Sequence, residues 1–188
     1  MKVEWFKRKM DTMDIYPKDK LKYKINSDVV AFTEKTLKEY GKIDDGNEGI
    51  VYWAGSINGN CINIDMAIAP EAETSGGSIK VPHISNLQVV LCLSKNNRHH
   101  LGQVHSHPGS WVGHSSVDDE DAAFKKTGLL SVVVPFYGRT GMLDLEKCGI
   151  HRFGELNFFR LKNWYIKRRF SIIETNSSII IDQRNGAK

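Results

Sequence analysis

Apolar residues at helical spacing begin only after an irregular start to the chain. Residues 1–25 are rich in charge, include Pro17 and scattered aromatic side chains, and show no clear period. From Asn26 onward the apolar positions fall near one face of a helix. Ser27 is placed to cap this helix at its start, and Gly41 to follow its last turn. The predicted buried face consists of Val29, Val30, Thr33, Leu37 and Tyr40.

Two apolar runs joined by a turn signal follow this helix. The first runs from about Gly49 to Ala54, and the second runs from Cys61 to Ile68. The triplet Asn58-Gly59-Asn60 between them is typical of a tight turn. Apolar and polar residues alternate along the second run, as they do in a strand with one buried face. The pattern predicts a β-hairpin.

The rest of the chain alternates between helical and strand-like segments. Helices are predicted from near Ser85 to Ser94, and from Ser115 or Ser116 to Thr127. Because helices and strands are interleaved without a repeat or a linker, we predict one α/β domain with a central mixed sheet flanked by helices. The further predicted strands are Leu101–His105, Leu129–Val134, one or two within Met142–Phe153, and Ser178–Ile181.

Length and composition agree with one globular domain. The chain has 188 residues, of which 40% are hydrophobic and 26% charged. We divide it into an N-terminal arm (1–25), a main domain (26–175) and a C-terminal strand and tail (176–188). The longest apolar run, Leu129–Tyr137, is about half of the roughly 18 residues that cross a bilayer. Without an apolar leader either, we expect a cytoplasmic protein that does not contact a membrane.

Charge and cysteine usage narrow the function classes. The net charge is +4, and its basic clusters are most often solvated surface, although they can also face nucleic acid or an acidic partner. No aromatic-interleaved motif accompanies them, so we expect no nucleic acid partner. The three cysteines are odd in number and widely spaced, which argues against a disulfide framework and a cysteine-ligated zinc site. They are Cys61, Cys92 and Cys148.

The segment from Gln103 to Asp121, which reads QVHSHPGSWVGHSSVDDED, carries the candidate chemistry. His105 and His107 are two apart at the end of a predicted strand, so their side chains point to the same face. Ten residues after Pro108, Asp118 falls in the first turn of the next predicted helix, where free N–H groups favour a carboxylate. Two imidazoles and one carboxylate leave one zinc coordination position open, which is typical of catalytic rather than structural zinc.

Hydrolysis of an amide needs two further groups besides zinc. Zinc lowers the pKa of bound water to about 7, but a general base must still move the proton and a donor must stabilise the oxyanion. Ser115, at the start of the predicted helix, is the candidate donor. Glu48, at the start of the first hairpin strand, is the candidate base. The other carboxylates considered are Glu71, Glu73 and Glu120.

The segment from His105 to Asp118 matches the pattern H-x-H-P-x6-S-x2-D. This pattern resembles the motif of the JAMM/MPN metalloprotease family, whose active members remove ubiquitin-like modifiers from their conjugates. The resemblance covers roughly residues 26–155 and implies a single MPN domain with a cytidine-deaminase-like fold. It also implies a role for each matching residue. His105, His107 and Asp118 would bind Zn²⁺, Glu48 would be the acid/base, and Ser115 would be the oxyanion donor.

The family also places its glutamate near the start of an early strand. Glu48 lies 57 positions before His105, and Gly55 stands where that strand usually closes with a glycine. The chain departs from the family in one respect. Paired glycines often follow the glutamate in other members, but here Gly49 is followed by two β-branched residues.

Two residues of the loop between the ligands are candidates for substrate binding. Trp111 is an aromatic residue over the predicted metal site, and it would either wall the substrate channel or anchor the loop. His114 precedes Ser115 and would either touch substrate or be a solvated loop histidine.

The short length and the S-V-V-V-P strand resemble the compact prokaryotic branch of the family. Members of this branch accompany bacterial activating-enzyme-like and conjugating-enzyme-like proteins in antiviral defence operons. The resemblance therefore implies a ubiquitin-like protein or its conjugate as partner, with deconjugation or precursor processing as the reaction. Two alternatives stay open: a non-catalytic MPN scaffold, which would typically lack a metal ligand, and a zinc hydrolase of a small amide, which would need a closed pocket.

Overall fold

The computed structural model describes residues 19–43, 46–115, 118–119, 122–175 and 177–184, and the backbone of a two-residue strand at 14–15. Three α-helices, two short 3-10 helices (Pro135–Gly138 and Leu145–Lys147) and twelve strands are formed within these ranges. The helices are α1 (Ser27–Tyr40), α2 (His83–Lys95) and α3 (Asn163–Arg169).

Ten of the twelve strands form one mixed sheet, in the order β1-β10-β9-β8-β7-β3-β4-β2-β11, with β12 paired to the second half of β4. The other two, β5 and β6, form a small separate hairpin. The strands are β1 (Asp14–Ile15), β2 (Lys22–Asn26), β3 (Ile50–Asn58), β4 (Cys61–Ala69), β5 (Glu73–Thr74), β6 (Ile79–Lys80), β7 (His99–Ser106), β8 (Leu130–Val134), β9 (Gly149–Phe153), β10 (Phe158–Leu161), β11 (Phe170–Ile173) and β12 (Ile179–Asp182).

The centre of the sheet is buried on both faces. On one face Val51 and Trp53 of β3 belong to the larger core with α1, and the indole N–H of Trp53 donates to Thr33 Oγ1 at 2.9 Å. On the other face Ile50 and Tyr52 pack with Val89 of α2. Because successive side chains of a strand point to opposite faces, covering by helices on both sides explains why β3 is apolar almost without interruption.

One connection in the sheet determines where the chemistry lies. Strands β7 and β8 are parallel neighbours, so the chain must cross from the end of β7 back to the start of β8. This crossover, residues 107–129, contains most of the motif singled out in the sequence. It places the motif at the end of β7, in the middle of the sheet.

The predicted α/β class and the predicted hairpin are confirmed. Strands β3 and β4 pair antiparallel through the turn at Gly59, which has φ +57°. The glycine at position 55 is required by packing, because a Cβ there would lie 1.8 Å from the carbonyl oxygen of Asn63. Gly41 has φ −66° and is not the left-handed cap that the sequence predicted. A Cβ at that position would instead lie 2.5 Å from Cβ and 2.8 Å from the ring carbon Cγ of Tyr137.

The helix predicted to reach Thr127 is wrong in its length. A helical turn is present at Asp118 and Asp119, but residues 122–127 are not helical. Ala122 is buried, and the Phe124 ring packs against the His100 ring with 4.4 Å between their centroids. Contacts with the α2 side of the sheet therefore decide the path of this segment over its local helical pattern.

The stretch predicted as an N-terminal arm contributes an inner strand. β2 lies between β4 and β11, and its Tyr23 and Ile25 are buried. Most of the arm lies outside the described residues, and the division into arm, domain and tail stays a prediction. Within the part of the chain that the structure describes, no helix is long and apolar enough to cross a membrane.

Candidate metal centre

The two histidines of the motif are positioned by backbone pairing. His105 lies on β7 and pairs with Val133 of β8. His107 directly follows the strand, where its N–H donates to the Val134 carbonyl at 2.9 Å and its carbonyl accepts from the Tyr137 N–H at 3.0 Å. The positions of both imidazoles are thus set by the sheet and by the turn that follows β8.

The rings of His105 and His107 converge on the carboxylate of Asp118. Nε2 of His105 lies 3.3 Å from Oδ1 of Asp118, and Nε2 of His107 lies 3.6 Å from Oδ2. One ligand atom of each residue lies within 4.8 Å of the other two. The structure therefore brings together the three residues that the sequence analysis singled out as metal ligands.

Asp118 is held by a reciprocal cap with Ser115. The N–H of Ser115 donates to Oδ2 of Asp118 at 2.6 Å, and the N–H of Asp118 donates to Oγ of Ser115 at 3.1 Å. This is a capping box in which aspartate takes the place of the usual glutamate. Of the two serines predicted to begin the helix, Ser115 is therefore the cap, and Ser116 lies outside the described residues.

The three groups shift one another's pKa values. Burial acts to raise the pKa of Asp118, but the two neighbouring imidazoles and the hydrogen bond from the Ser115 N–H outweigh burial and hold the pKa well below its usual value. Burial lowers the pKa of His105, which favours the neutral imidazole. Burial also acts to lower the pKa of His107, but Asp118 and the charge of Glu48 raise it overall.

The arrangement fits a divalent metal ion. In tetrahedral zinc sites with bonds of about 2.0–2.1 Å, ligand atoms are separated by about 3.3 Å, close to the two distances found here. The buried Nε2 of His105 has no hydrogen-bond partner, so its lone pair is free for an ion. Nδ1 of His107 lies 3.1 Å from the Trp111 carbonyl, which would accept a hydrogen bond from a protonated Nδ1 and leave the lone pair of Nε2 to bind the ion.

Glu48 lies beside this cluster at the entrance of β3. Its side chain is 7% exposed and lines the same two cavities as Asp118. Burial raises the pKa of Glu48 to about 7; His107 opposes this shift and Asp118 adds to it. A carboxyl group with such a pKa exchanges protons readily at neutral pH, as a general base must.

The remaining predicted residues differ in how they face the site. Ser115 lines the larger cavity, and because its Oγ already accepts a hydrogen bond, its hydroxyl proton is free to donate. Trp111 is 51% exposed and stacks on His107 with 5.1 Å between ring centroids. His114 is 2% exposed and both of its nitrogens have protein partners. The alternative bases Glu71 and Glu73 are exposed, and Glu120 lies outside the described residues.

Sequence reasoning missed Ser106, which joins the two halves of the site. Its hydroxyl accepts from the N–H of Gly49 at 3.0 Å, and its N–H donates to the Gly49 carbonyl at 3.1 Å. These bonds attach the residue after Glu48 to the residue between the two histidines. Alternation in β7 marks Ser106 as pointing away from His105 and His107, but only the pairing of β3 with β7 reveals its partner.

We predict that Ser106→Ala lowers kcat about tenfold while zinc affinity stays within about twofold of the wild type. The buried Gly49 N–H would lose its partner, at a cost of about 1–3 kcal/mol in unfolding free energy, and Glu48 would lose its fixed position. Peptidase kinetics and zinc competition titrations measure the two effects. Ser106→Thr keeps the hydroxyl and is the matched control. Equal kinetics for the alanine and threonine variants would contradict this prediction.

Comparison with known proteins agrees with the geometry of the site. No protein-family model matches the chain. It is similar to the probable metalloprotease y4jG of Sinorhizobium fredii, with 32% identity over 116 residues, which are 60% of this chain and 70% of that protein. The fold is similar to the solution structure of protein DSY2949 from Desulfitobacterium hafniense, with a TM-score of 0.61 and 13% identity over 81% of this chain and 94% of the other. By its sequence relationship, the chain belongs to the metalloprotease family that includes y4jG.

Proposed function

We propose that this protein is a zinc-dependent isopeptidase or peptidase of the JAMM type. The observation that carries the proposal is a buried glutamate with a pKa raised to about 7 in the same cavities as a three-residue metal cluster. Burying the Glu48 carboxyl beside Asp118 lowers the stability of the fold. A non-catalytic scaffold would gain nothing in return, whereas an enzyme gains a general base. Metal ligands, base and oxyanion donor together are what amide hydrolysis requires.

His105, His107 and Asp118 would hold the ion. Two imidazoles and one carboxylate are a common ligand set of catalytic zinc, and they leave room for further ligands. When bound, zinc acts as a Lewis acid that polarises the scissile carbonyl and lets water ionise near neutral pH. The hydrogen bond between His107 and the Trp111 carbonyl keeps the imidazole oriented.

Glu48 would move the proton of the reaction. Its carboxylate takes a proton from the attacking water, whose oxygen forms a bond to the carbonyl carbon. It then gives this proton to the amide nitrogen as the carbon–nitrogen bond breaks, so that the amine departs neutral. The Ser115 hydroxyl, which has its own proton to donate, would stabilise the negative oxygen that develops on the same carbon.

The two cavities beside the cluster favour an extended peptide as the substrate. One has a volume of about 40 Å³ and the other about 270 Å³, and Glu48, Gly77 and Asp118 line both. The smaller one reaches His105, and the wider one is bordered by Trp111 and Gly109. Because they share lining residues, the two cavities lie side by side along the metal cluster, as an extended chain would. This shape, together with the motif resemblance, supports our proposal that the substrate is the C-terminal tail of a ubiquitin-like modifier joined to a further protein.

A fusion of a bacterial ubiquitin-like protein to a reporter would test the proposed function. We expect cleavage directly after the modifier's C-terminus, its loss in the presence of a chelator, and its recovery when zinc is added back. His99→Ala is the matched control for ligand variants, because His99 is exposed at the far end of β7. Wild-type protein that binds zinc but leaves a panel of such fusions intact would favour the scaffold. Cleavage of small amides alone would favour the small-amide hydrolase.

A further inference from the structure

A chain of hydrogen bonds, buried except at its Asp119 end, lies behind the metal ligands. Nδ1 of His114 lies 2.9 Å from Oδ1 of Asp119, and Nε2 of His114 lies 2.7 Å from Oγ of Ser131. The side-chain amide of Gln103 donates to the same Oγ at 3.4 Å. His114 therefore connects the helical turn of the crossover to the middle of the sheet.

The chemistry of these groups orders their protons. An ionised carboxylate only accepts, so Nδ1 of His114 carries the proton that is donated to Asp119. Nε2 of a neutral imidazole then accepts, and the Ser131 hydroxyl donates to it. Ser131 is left with an oxygen that accepts from Gln103, so every member of the chain has a partner of the right kind.

Packing fixes the His114 ring as firmly as its hydrogen bonds do. Gln103, Ser131 and His151 face one another across β7, β8 and β9 because they are paired in register. The ring lies on this row, with His151 at 4.5 Å and Phe158 at 4.7 Å between ring centroids. Because the ring is tightly packed, it cannot shift on its own, and it fixes the distance between Asp119 at one nitrogen and Ser131 at the other.

The order serine–histidine–aspartate is that of a nucleophilic triad, but this one cannot act on a substrate. Ser131 is 0% exposed and lies on an inner strand. A nucleophile must reach the scissile carbonyl, and the hydroxyl of Ser131 points to the His114 ring instead. The arrangement has the hydrogen bonding of a triad without its access.

The ligand that needs such support is Asp118. His105 and His107 are set by β7, whereas Asp118 belongs to the crossover, outside the sheet. Its cap with Ser115 fixes the shape of the turn but not the distance of the turn from the histidines. The bonds from Asp119 through His114 to Ser131 join the turn to β8, the neighbour of β7.

We propose that His114 is a positioning residue, which holds the turn of Ser115 and Asp118 at the correct distance from His105 and His107. This inference rests on the proposed metal site, and it assigns to His114 a role in supporting the site. Substitution of residues that orient metal ligands typically lowers metal affinity or activity by about 10–100-fold.

Zinc affinity, measured by competition with a chromophoric chelator, tests the proposal without any peptidase substrate. His114→Phe keeps a buried ring but removes both hydrogen bonds, and we expect it to weaken zinc binding about 10–100-fold. Asp119→Ala should weaken binding similarly, and Asp119→Asn, which retains an accepting oxygen, should bind more tightly than Asp119→Ala. Because the residues act in one chain, Asp119→Ala should have little further effect in the His114→Phe background.

Three results would overturn the proposal. The first is a His114→Phe protein that melts at a lower temperature but binds zinc as the wild type does. The second is additive effects of the two substitutions on affinity. The third is unchanged zinc affinity in Asp119→Ala. This variant decides alone if His114→Phe does not fold, because the Asp119 side chain is 41% exposed and its removal leaves the core intact. Wild-type protein that binds zinc but cleaves no fusion would remove the proposed function and leave this inference standing.

Discussion

Glu48→Gln is expected to bind zinc as the wild type does and to cleave about 10²–10⁴-fold more slowly. The amide keeps the size and much of the polarity of the side chain, but it cannot take a proton from water or give one to the leaving amine. General acid–base groups typically contribute a factor of this size to kcat. Single-turnover cleavage of a modifier fusion, at saturating zinc, measures the loss.

The pH dependence of the same reaction gives a second readout for Glu48. Because a base must be ionised, wild-type kcat/KM should fall about tenfold for each pH unit below the pKa of Glu48. This pKa is about 7 in the metal-free site, and the positive charge of a bound ion would lower it. The residual activity of Glu48→Gln should lack this decline. Glu73→Gln is the control, since that carboxylate is exposed on β5. A Glu48→Gln protein with full activity would show that another group is the base.

The ionisation of Glu48 affects stability in the opposite direction: activity should rise with pH, whereas the free energy of unfolding should fall. The carboxyl pKa of Glu48 is about 7 in the folded protein and near the ordinary value of 4.5 in the unfolded chain. Between these values the folded state therefore binds more protons than the unfolded state. As pH rises from 4.5 to 7, the contribution of Glu48 lowers the free energy of unfolding of the metal-free protein by up to about 3 kcal/mol. In Glu48→Gln, urea unfolding at these two pH values should show a correspondingly smaller loss.

Asp118→Asn is expected to reduce zinc affinity at least about 100-fold and to abolish cleavage at micromolar zinc. The substitution preserves an oxygen that can accept the N–H of Ser115, so the turn keeps its cap. It removes the negative charge that stabilises the ion and that now acts on the pKa values of His105 and His107. The effect therefore comes from the ligand set and not from unfolding.

Calorimetric titration with zinc and fusion cleavage at increasing zinc measure the Asp118 effect. Asp28→Asn, in the first turn of α1, makes the same chemical change away from the cluster and should match the wild type. High zinc should restore part of the activity of Asp118→Asn if the loss reflects weakened binding. Wild-type affinity in Asp118→Asn would exclude this carboxylate as a ligand.

The grouping of the three candidate ligands could be predicted from the sequence because they lie within fourteen consecutive residues, His105 to Asp118. Alternation in a strand places His105 and His107 on one side, and a helix start after the loop favours Asp118 near them. The hairpin could be predicted for the same reason, since its turn and its alternation lie within twenty residues of one another. In each case the pattern and the contacts that it predicts are close together in the chain.

Contacts between distant segments could not be predicted in this way. Glu48 reaches the site through the pairing of β3 with β7, which brings Gly49 to Ser106 across 57 positions. The partner of His114 lies on β8, so a loop histidine in the sequence becomes a buried link in the fold. Residues 122–127 follow packing near His100 rather than their helical pattern, and Gly41 is needed by the ring of Tyr137, nearly a hundred positions away.

Metal content after dialysis against zinc tests the central claim most directly. Wild-type protein and the His99→Ala control should each retain about one zinc ion per chain, as a three-ligand catalytic site does. His107→Ala should retain almost none under the same conditions. Wild-type protein without bound metal, or a His107→Ala protein that retains as much as the wild type, would contradict the metal site from which the function is argued.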